Sequence, residues 1–135
     1  MTPSPRPVLP LLVVDAANVV GIVPDGWWRR RAEAARLLRD ALAPVAEQGV
    51  RGLPGPVEVV LVVEGRAARV EGSPSVRVVA ARGSGDDAIV DLVAREGAGR
   101  RCAVATADRG LRARVTALGA EIVAPSALPR RASLG

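Results

Sequence analysis

At 135 residues and 49% hydrophobic composition, the chain is long enough for one globular domain with a core of its own. It has one cysteine and no histidine, which excludes disulfide scaffolds, Cys/His zinc sites and catalytic sites that need a histidine base. Hard metal ions bound by oxygen ligands remain compatible with this composition. The basic residues behind the net charge of +5 are all arginine, which base bias in the gene explains most simply. This charge permits binding to a polyanion without showing it.

The first apolar run, residues 8–14, is too short to span a membrane, and Asp15 and Asn18 interrupt its continuation. Arg6 precedes this run as a basic residue does in a signal peptide, but no small-residue cleavage site precedes the acids. We therefore expect no membrane segment and a cytoplasmic location.

Apolar runs and helical patterns alternate along the chain. Residues 1–7 are predicted to be a flexible arm, 8–125 the folded domain and 126–135 a flexible tail. Strands are predicted at 9–14, 57–63, 76–80, 102–105 and 120–124. A loop is predicted at 15–26, a turn at 52–56 and a weakly supported helix within 66–74. Three further helices are predicted: one from Trp27 to Gly49, which Pro44 kinks or ends early, one opening at 83–87, and one carrying Leu111, Val115 and Leu118.

This alternation predicts an α/β fold with a mostly parallel sheet of about five strands, right-handed crossovers and helices on both faces. The chain lacks Phe and Tyr, so its core must consist of small branched side chains, as in a covered parallel sheet.

Acidic residues follow the ends of several predicted strands. Asp15 ends the first strand, Asp86 and Asp87 open the helix after the third, and Asp108 follows the fourth. In a parallel sheet these positions share one edge, where carboxylates repel one another unless a cation lies between them. Mg²⁺ or Mn²⁺ would relieve that repulsion, polarise a phosphodiester and lower the pKa of a bound water. Asn18 is placed to orient a ligand or a water.

Each acid also has a purely structural interpretation. Ser84 and Asp87 fit a capping box, as N-cap and N3 residue. Asp108 fits a cap for the helix near Gly110, and Asp15 fits the start of a turn. Glu64 ends the second strand at the same edge and fits strand termination or an arginine pair as well as a site. The metal site is favoured because all these acids fall at one predicted edge.

Arginines crowd the first turn of the helix that starts near Trp27: Arg29, Arg30 and Arg31. Positive charge there opposes the helix dipole at a cost of ~0.3–1 kcal/mol per charge. Solvated surface arginines are the simpler interpretation, and contact with bound phosphate is the functional one. Trp27 and its neighbour Trp28 either pack this helix onto the sheet, the favoured interpretation, or stack on bases.

Three marks resemble the NYN-domain branch of the PIN-like ribonucleases. They are Asp15 with Asn18, Asp86 with the apolar Ile89 three residues on, and the segment Thr106-Ala107-Asp108-Arg109-Gly110-Leu111. The resemblance runs from the first strand to the last and implies a three-layer, Rossmann-like, PIN-like sandwich with metal-dependent nuclease activity on RNA. It implies that Asp15, Asp86 and Asp108 hold the metal, with Asp87 as an addition. The chain departs from the family at Asp-Ala-Ala-Asn, where many members have Asp-Gly-x-Asn, so the turn geometry is expected to differ.

The sequence therefore predicts a divalent-metal-dependent ribonuclease that hydrolyses RNA phosphodiester bonds, with Mg²⁺ or Mn²⁺ as its cofactor. The predicted catalytic residues are Asp15, Asp86, Asp108 and Asn18, with Asp87 as a further ligand and Thr106 and Ser84 in support. The predicted RNA-backbone contacts are Arg29, Arg30, Arg31 and Arg109. The alternative is a non-catalytic module on the same fold that binds RNA or a protein. A homodimer and an inhibitory protein partner are both compatible with the sequence.

Overall fold

The computed structural model describes residues 8–20, 31–65 and 69–129. Its strands are β1 (Leu11–Asp15), β2 (Gly49–Val50), β3 (Leu53–Pro54), β4 (Glu58–Val63), β5 (Val76–Ala80), β6 (Cys102–Ala105) and β7 (Glu121–Val123). Its α-helices are α1 (Ala16–Val20), α2 (Arg31–Ala41), α3 (Ala43–Gln48), α4 (Gly85–Glu96) and α5 (Arg109–Ala117). A 3-10 turn, Pro125–Ala127, follows β7.

The sheet has five parallel strands in the order β5-β4-β1-β6-β7. β1 lies at its centre because its first four residues are apolar and have no exposed surface, as a strand covered on both faces requires. The chain first builds outward from β1 through β4 to β5, then crosses to β6 and β7 on the other side. The strand order therefore reverses beside β1, the place where open α/β sheets bind ligands.

Two hydrophobic cores cover the two faces of the sheet. Leu12 and Val14 of β1 face α1, α2 and α3, whereas Leu11 and Val13 face α4 and α5. The alternation follows from the two-residue period of a strand. The predicted three-layer arrangement, with a parallel five-stranded sheet and helices on both faces, is confirmed.

Several predicted boundaries are wrong. The loop predicted from residue 15 begins instead as α1, because Ala16 and Val19 are buried in the core three residues apart. The helix predicted from Trp27 to Gly49 is interrupted at Leu42, and Pro44 lies in the first turn of the next helix, α3. The prediction that Pro44 ends the first helix early is confirmed. The turn predicted at 52–56 belongs to a β2–β3 hairpin. Gly49 has φ +72° there, and a side chain would collide with the Leu53 carbonyl.

Three further differences concern the ends of elements. Within the segment 66–74, where a short helix was weakly predicted, residue 69 has 3-10 geometry and residues 70–74 are not helical, while residues 66–68 lie outside the described part. Leu118, predicted to lie on the last helix, instead follows its end, because α5 ends at Ala117, and it is 48% exposed. Leu128 belongs to the core, so packing extends past the predicted domain end at 125. No helix of the described residues is long and apolar enough to cross a membrane.

Candidate functional site

Three strands end in polar residues on the same face of the sheet. Side chains alternate between the two faces along a strand. Asp15 therefore lies on the same face as Leu11 and Val13, and Glu64 lies on the same face as Val60 and Val62. Thr106 follows β6 and continues the face of Val104. This face is the one covered by α4 and α5. The strand ends and the first turns of both helices therefore meet at one edge.

Asp15 is only 6% exposed, and its neighbour Thr106 is fully buried. The Thr106 hydroxyl donates a hydrogen bond to Asp15 Oδ2 at 3.0 Å. The same hydroxyl accepts the backbone N–H of Asp108 at 3.1 Å. One buried hydroxyl therefore sets the position of the Asp15 carboxylate and of the backbone that carries Asp108.

Asn18 lies on α1, one turn beyond Asp15. Its Oδ1 accepts the backbone N–H of Ala107 at 2.8 Å. The Arg112 Nε donates to the Thr106 carbonyl at 2.9 Å on the other side of the same loop. The side chain predicted to orient a ligand thus fastens the loop after β6 to the helix after β1.

Asp108 caps α5, as its structural interpretation predicted. Its Oδ1 accepts the backbone N–H of Leu111 at 2.8 Å, and its backbone is extended, as at an ordinary N-cap. Within the described residues no hydrogen bond reaches its Oδ2. A cap uses one carboxylate oxygen, so this role leaves the other available to a ligand.

The start of α4 holds two capping contacts. Ser84 Oγ accepts the backbone N–H of Asp87 at 3.1 Å, which confirms Ser84 as the N-cap. Glu64 accepts the backbone N–H of Gly85. A Cβ at Gly85 would lie 2.5 Å from Glu64 Oε2, so a larger residue there would require the Glu64 carboxylate to shift away from the helix end. The sequence left the role of Glu64 open between strand termination, an arginine pair and the site. Its spacing of two residues from Val62 and four from Val60 already placed it on this face.

The charges of this edge act on one another. Burial raises the pKa of Asp15, hydrogen bonds from Thr106 and the Asn18 backbone oppose that rise, and the charges of Asp86 and Glu64 add to it. Burial also raises the pKa of Asp86, and the charges of Asp108 and Glu64 raise it further. The four carboxylates Asp15, Glu64, Asp86 and Asp108, called here the acid cluster, therefore share one electrostatic field.

Asp87 does not belong to the acid cluster but pairs with an arginine of α5. Its Oδ1 forms an ion pair with Arg114 Nη1 at 3.0 Å, and its side chain is 73% exposed. Arg109 is exposed in the first turn of α5. Trp27, Trp28, Arg29 and Arg30 lie outside the described residues, as does the side chain of Arg31. Across residues 8–20, 31–65 and 69–129, no three acidic, histidine or cysteine side chains form a ready-made metal site.

Comparisons with known proteins bear on the fold. No family model and no curated protein matches the sequence. The structure is similar to the crystal structure of a mutant of Rae1 (YacP) from Bacillus subtilis, with a TM-score of 0.63 and 21% sequence identity. The match covers 88% of this chain and 72% of that chain. The likeness supports a Rossmann-like α/β sandwich, the class that the strand order and the two covered faces define.

Proposed function

We propose that this protein is a divalent-metal-dependent ribonuclease of the NYN type, which hydrolyses RNA phosphodiester bonds at the C-terminal edge of its sheet. The observation that carries the proposal is the acid cluster beside the strand-order reversal. Burial raises the pKa of two members, Asp15 and Asp86, and repulsion from the neighbouring acids raises both further. The fold shared with Rae1 (YacP) and the three sequence marks around Asp15, Asp86 and Asp108 support the same proposal.

The residues fit a hard divalent cation. The cluster offers only carboxylate oxygens, which Mg²⁺ and Mn²⁺ prefer, and its negative charge is poorly compensated by the protein. Arg114 is the cation that lowers the pKa of Asp86, while the neighbouring acids raise it. Asp15, Asp86 and Asp108 would hold the metal, with Glu64 nearby. Asp86 is half-buried and Asp108 is exposed, so both carboxylates are accessible to an ion from solvent.

A metal bound there would polarise the phosphodiester and lower the pKa of an attacking water. The other residues keep the ligands in place. Thr106 donates a hydrogen bond to Asp15 Oδ2, while Asn18 keeps the loop of Asp108 against α1. Arg109, together with Arg29, Arg30 and Arg31, would contact the RNA backbone without reading its sequence.

The second candidate is a non-catalytic module that binds RNA or a protein. It is favoured by one set of observations: Asp108 and Ser84 cap helices, Glu64 accepts a backbone N–H of α4, and Asp87 pairs with Arg114. In that case the acids serve the fold, and RNA binding would be the same in a chelator as in Mn²⁺.

Calorimetric titration with Mn²⁺ separates the two candidates. Asp15→Asn is compared with wild type and with Asp91→Asn, which changes an exposed acid of α4 that pairs with Arg95. The ribonuclease proposal expects saturable binding in wild type and Asp91→Asn, its loss in a folded Asp15→Asn, and Mn²⁺-dependent cleavage of single-stranded RNA. Binding by none of the three proteins, with circular dichroism showing all of them folded, would favour the binding module.

A further inference from the structure

A groove lies beside the acid cluster, on the other side of the first turn of α4. It has a volume of about 420 Å³, within the ~300–1,000 Å³ range of small-molecule sites. The end of β5, the loop after it and one side of α4 form it, and we call it the α4 groove. Its lining includes Ala80, Arg82, Ser84, Ala88, Leu92 and Arg95.

The α4 groove and the acid cluster are adjacent along the chain. Asp87 lines the groove, whereas the preceding residue, Asp86, belongs to the cluster. Consecutive residues of a helix point about 100° apart, so the two sites flank the N-terminus of α4. An extended polymer bound across this helix end would contact both the α4 groove and the acid cluster.

One arginine of the groove, Arg82, has no ion-pair partner among the described residues. Asp91 pairs with Arg95 at 2.8 Å, and Asp87 pairs with Arg114 at 3.0 Å. No carboxylate of the described residues lies within ion-pair distance of Arg82. The exposed guanidinium of Arg82 is therefore available to an anion, and its planar fork suits a phosphate.

The walls of the groove complement this charge. The partly buried side chains of Val79, Ala81 and Ala88 give it an apolar side, while Ser84 and Asp87 border it towards the acid cluster. An apolar surface next to a cation matches a nucleotide, whose base has apolar faces and whose phosphate is an anion.

We propose that the α4 groove binds one nucleotide of a single-stranded RNA, with its phosphate on Arg82 and its base on the apolar side. The groove thus sets the direction in which the RNA leaves the acid cluster. This inference rests on the proposed function for its substrate class. It does not depend on metal binding, because Arg82 and the apolar side are outside the cluster.

The first test measures binding of a fluorescein-labelled, mixed-sequence 12-nucleotide RNA by anisotropy, in a chelator and at several salt concentrations. Arg82→Ala is expected to weaken binding by about 3- to 10-fold. It should also reduce the salt slope by about 0.7, the value for one phosphate contact on a single strand. The matched control is Arg51→Ala, an exposed arginine on the β2–β3 turn that lies outside the groove.

The second test fills the groove without changing charge. Ala88→Leu should weaken binding with the salt slope unchanged, whereas Ala94→Leu, on an exposed position of the same helix outside the groove, should bind as wild type. Equal RNA affinities for wild type, Arg82→Ala and Ala88→Leu would overturn the inference and leave the groove to another ligand, such as a protein. Weakened binding in a protein that fails to bind Mn²⁺ would uphold the groove while refuting the ribonuclease.

Discussion

The Thr106 hydroxyl lies 3.0 Å from Asp15 Oδ2, and this hydrogen bond joins the ends of two neighbouring strands across the point where the strand order reverses. Both side chains are buried, so neither can exchange its partner for bulk water. A donor in that position stabilises the ionised carboxylate and counters part of the rise in the Asp15 pKa caused by burial.

Thr106→Val should therefore destabilise the protein by about 1–3 kcal/mol, because it removes the hydroxyl that donates to Asp15 Oδ2 and accepts the Asp108 N–H. The change conserves shape, so a cavity contributes little. Urea denaturation measures the loss, and Thr106→Ser should recover most of it. Thr116→Val, at an exposed position of α5, is the control and should change stability by less than about 0.5 kcal/mol. Equal effects at the two positions would show that the buried hydrogen bond contributes nothing.

The raised pKa of Asp15 should make the free energy of unfolding of the metal-free protein depend on pH. Its pKa is raised in the folded protein, so the folded state binds more protons than the unfolded state between the ordinary aspartate pKa and the raised value. Stability therefore falls as the pH rises through that window. Glu96 and Glu121 have lowered pKa values and act in the opposite sense, so the informative quantity is the difference between wild type and Asp15→Asn.

That difference is measured by urea denaturation in a chelator from about pH 4 to about pH 7. Asp15→Asn should gain stability relative to wild type as the pH rises, and the gain should level off once Asp15 is ionised. Mn²⁺ should stabilise wild type by mass action and leave Asp15→Asn unchanged. A constant difference across the pH range would mean that Asp15 ionises in the folded protein as easily as in water.

Two helical glycines provide a matched pair. A Cβ at Gly85 would lie 2.5 Å from Glu64 Oε2, whereas a Cβ at Gly110 would lie at an ordinary 3.4 Å from Asp108 Oδ1. Gly110→Ala should stabilise the protein by about 0.5–1 kcal/mol through helix propensity. Gly85→Ala should destabilise it, because the methyl group displaces Glu64 from the backbone N–H of α4.

The double variant Gly85→Ala/Glu64→Ala tests the cause. If the collision with Glu64 explains the loss, the double variant should be more stable than the sum of the single changes predicts. Thermal denaturation of the four proteins completes the cycle. Strict additivity would trace the effect of Gly85→Ala to the helix backbone instead.

The strand ends could be predicted from the sequence because parallel strands place their C-termini at one edge. The register was also available, since Asp15 follows Leu11 and Val13 at intervals of two. The split between Asp86 and Asp87 was not, because it depends on which element packs beside the first turn of α4. The Asp87–Arg114 pair spans 27 residues of sequence and arises only when α4 packs beside α5.

α1 was missed for a related reason. A helix of five residues that starts directly after a strand has too few positions to show a period, and its two alanines fit a turn as well as a helix. Its presence changes the role of Asn18, which a loop would have left free to turn towards a ligand. On α1 its amide oxygen is committed to the Ala107 N–H.

That commitment leads to a prediction at Asn18. Asn18→Asp keeps the oxygen that accepts from Ala107 but adds a carboxylate next to Asp15, so the pKa of Asp15 should rise further. In a chelator at neutral pH the variant should be less stable than wild type, and Mn²⁺ should restore more of its stability than it adds to wild type. Asn18→Ala loses the hydrogen bond alone and should cost about 1 kcal/mol with or without metal. Thermal denaturation of the three proteins with and without Mn²⁺ distinguishes the effect of the added carboxylate from the effect of losing the hydrogen bond to Ala107. Identical responses of the aspartate and alanine variants to Mn²⁺ would place Asn18 outside the field of the acid cluster.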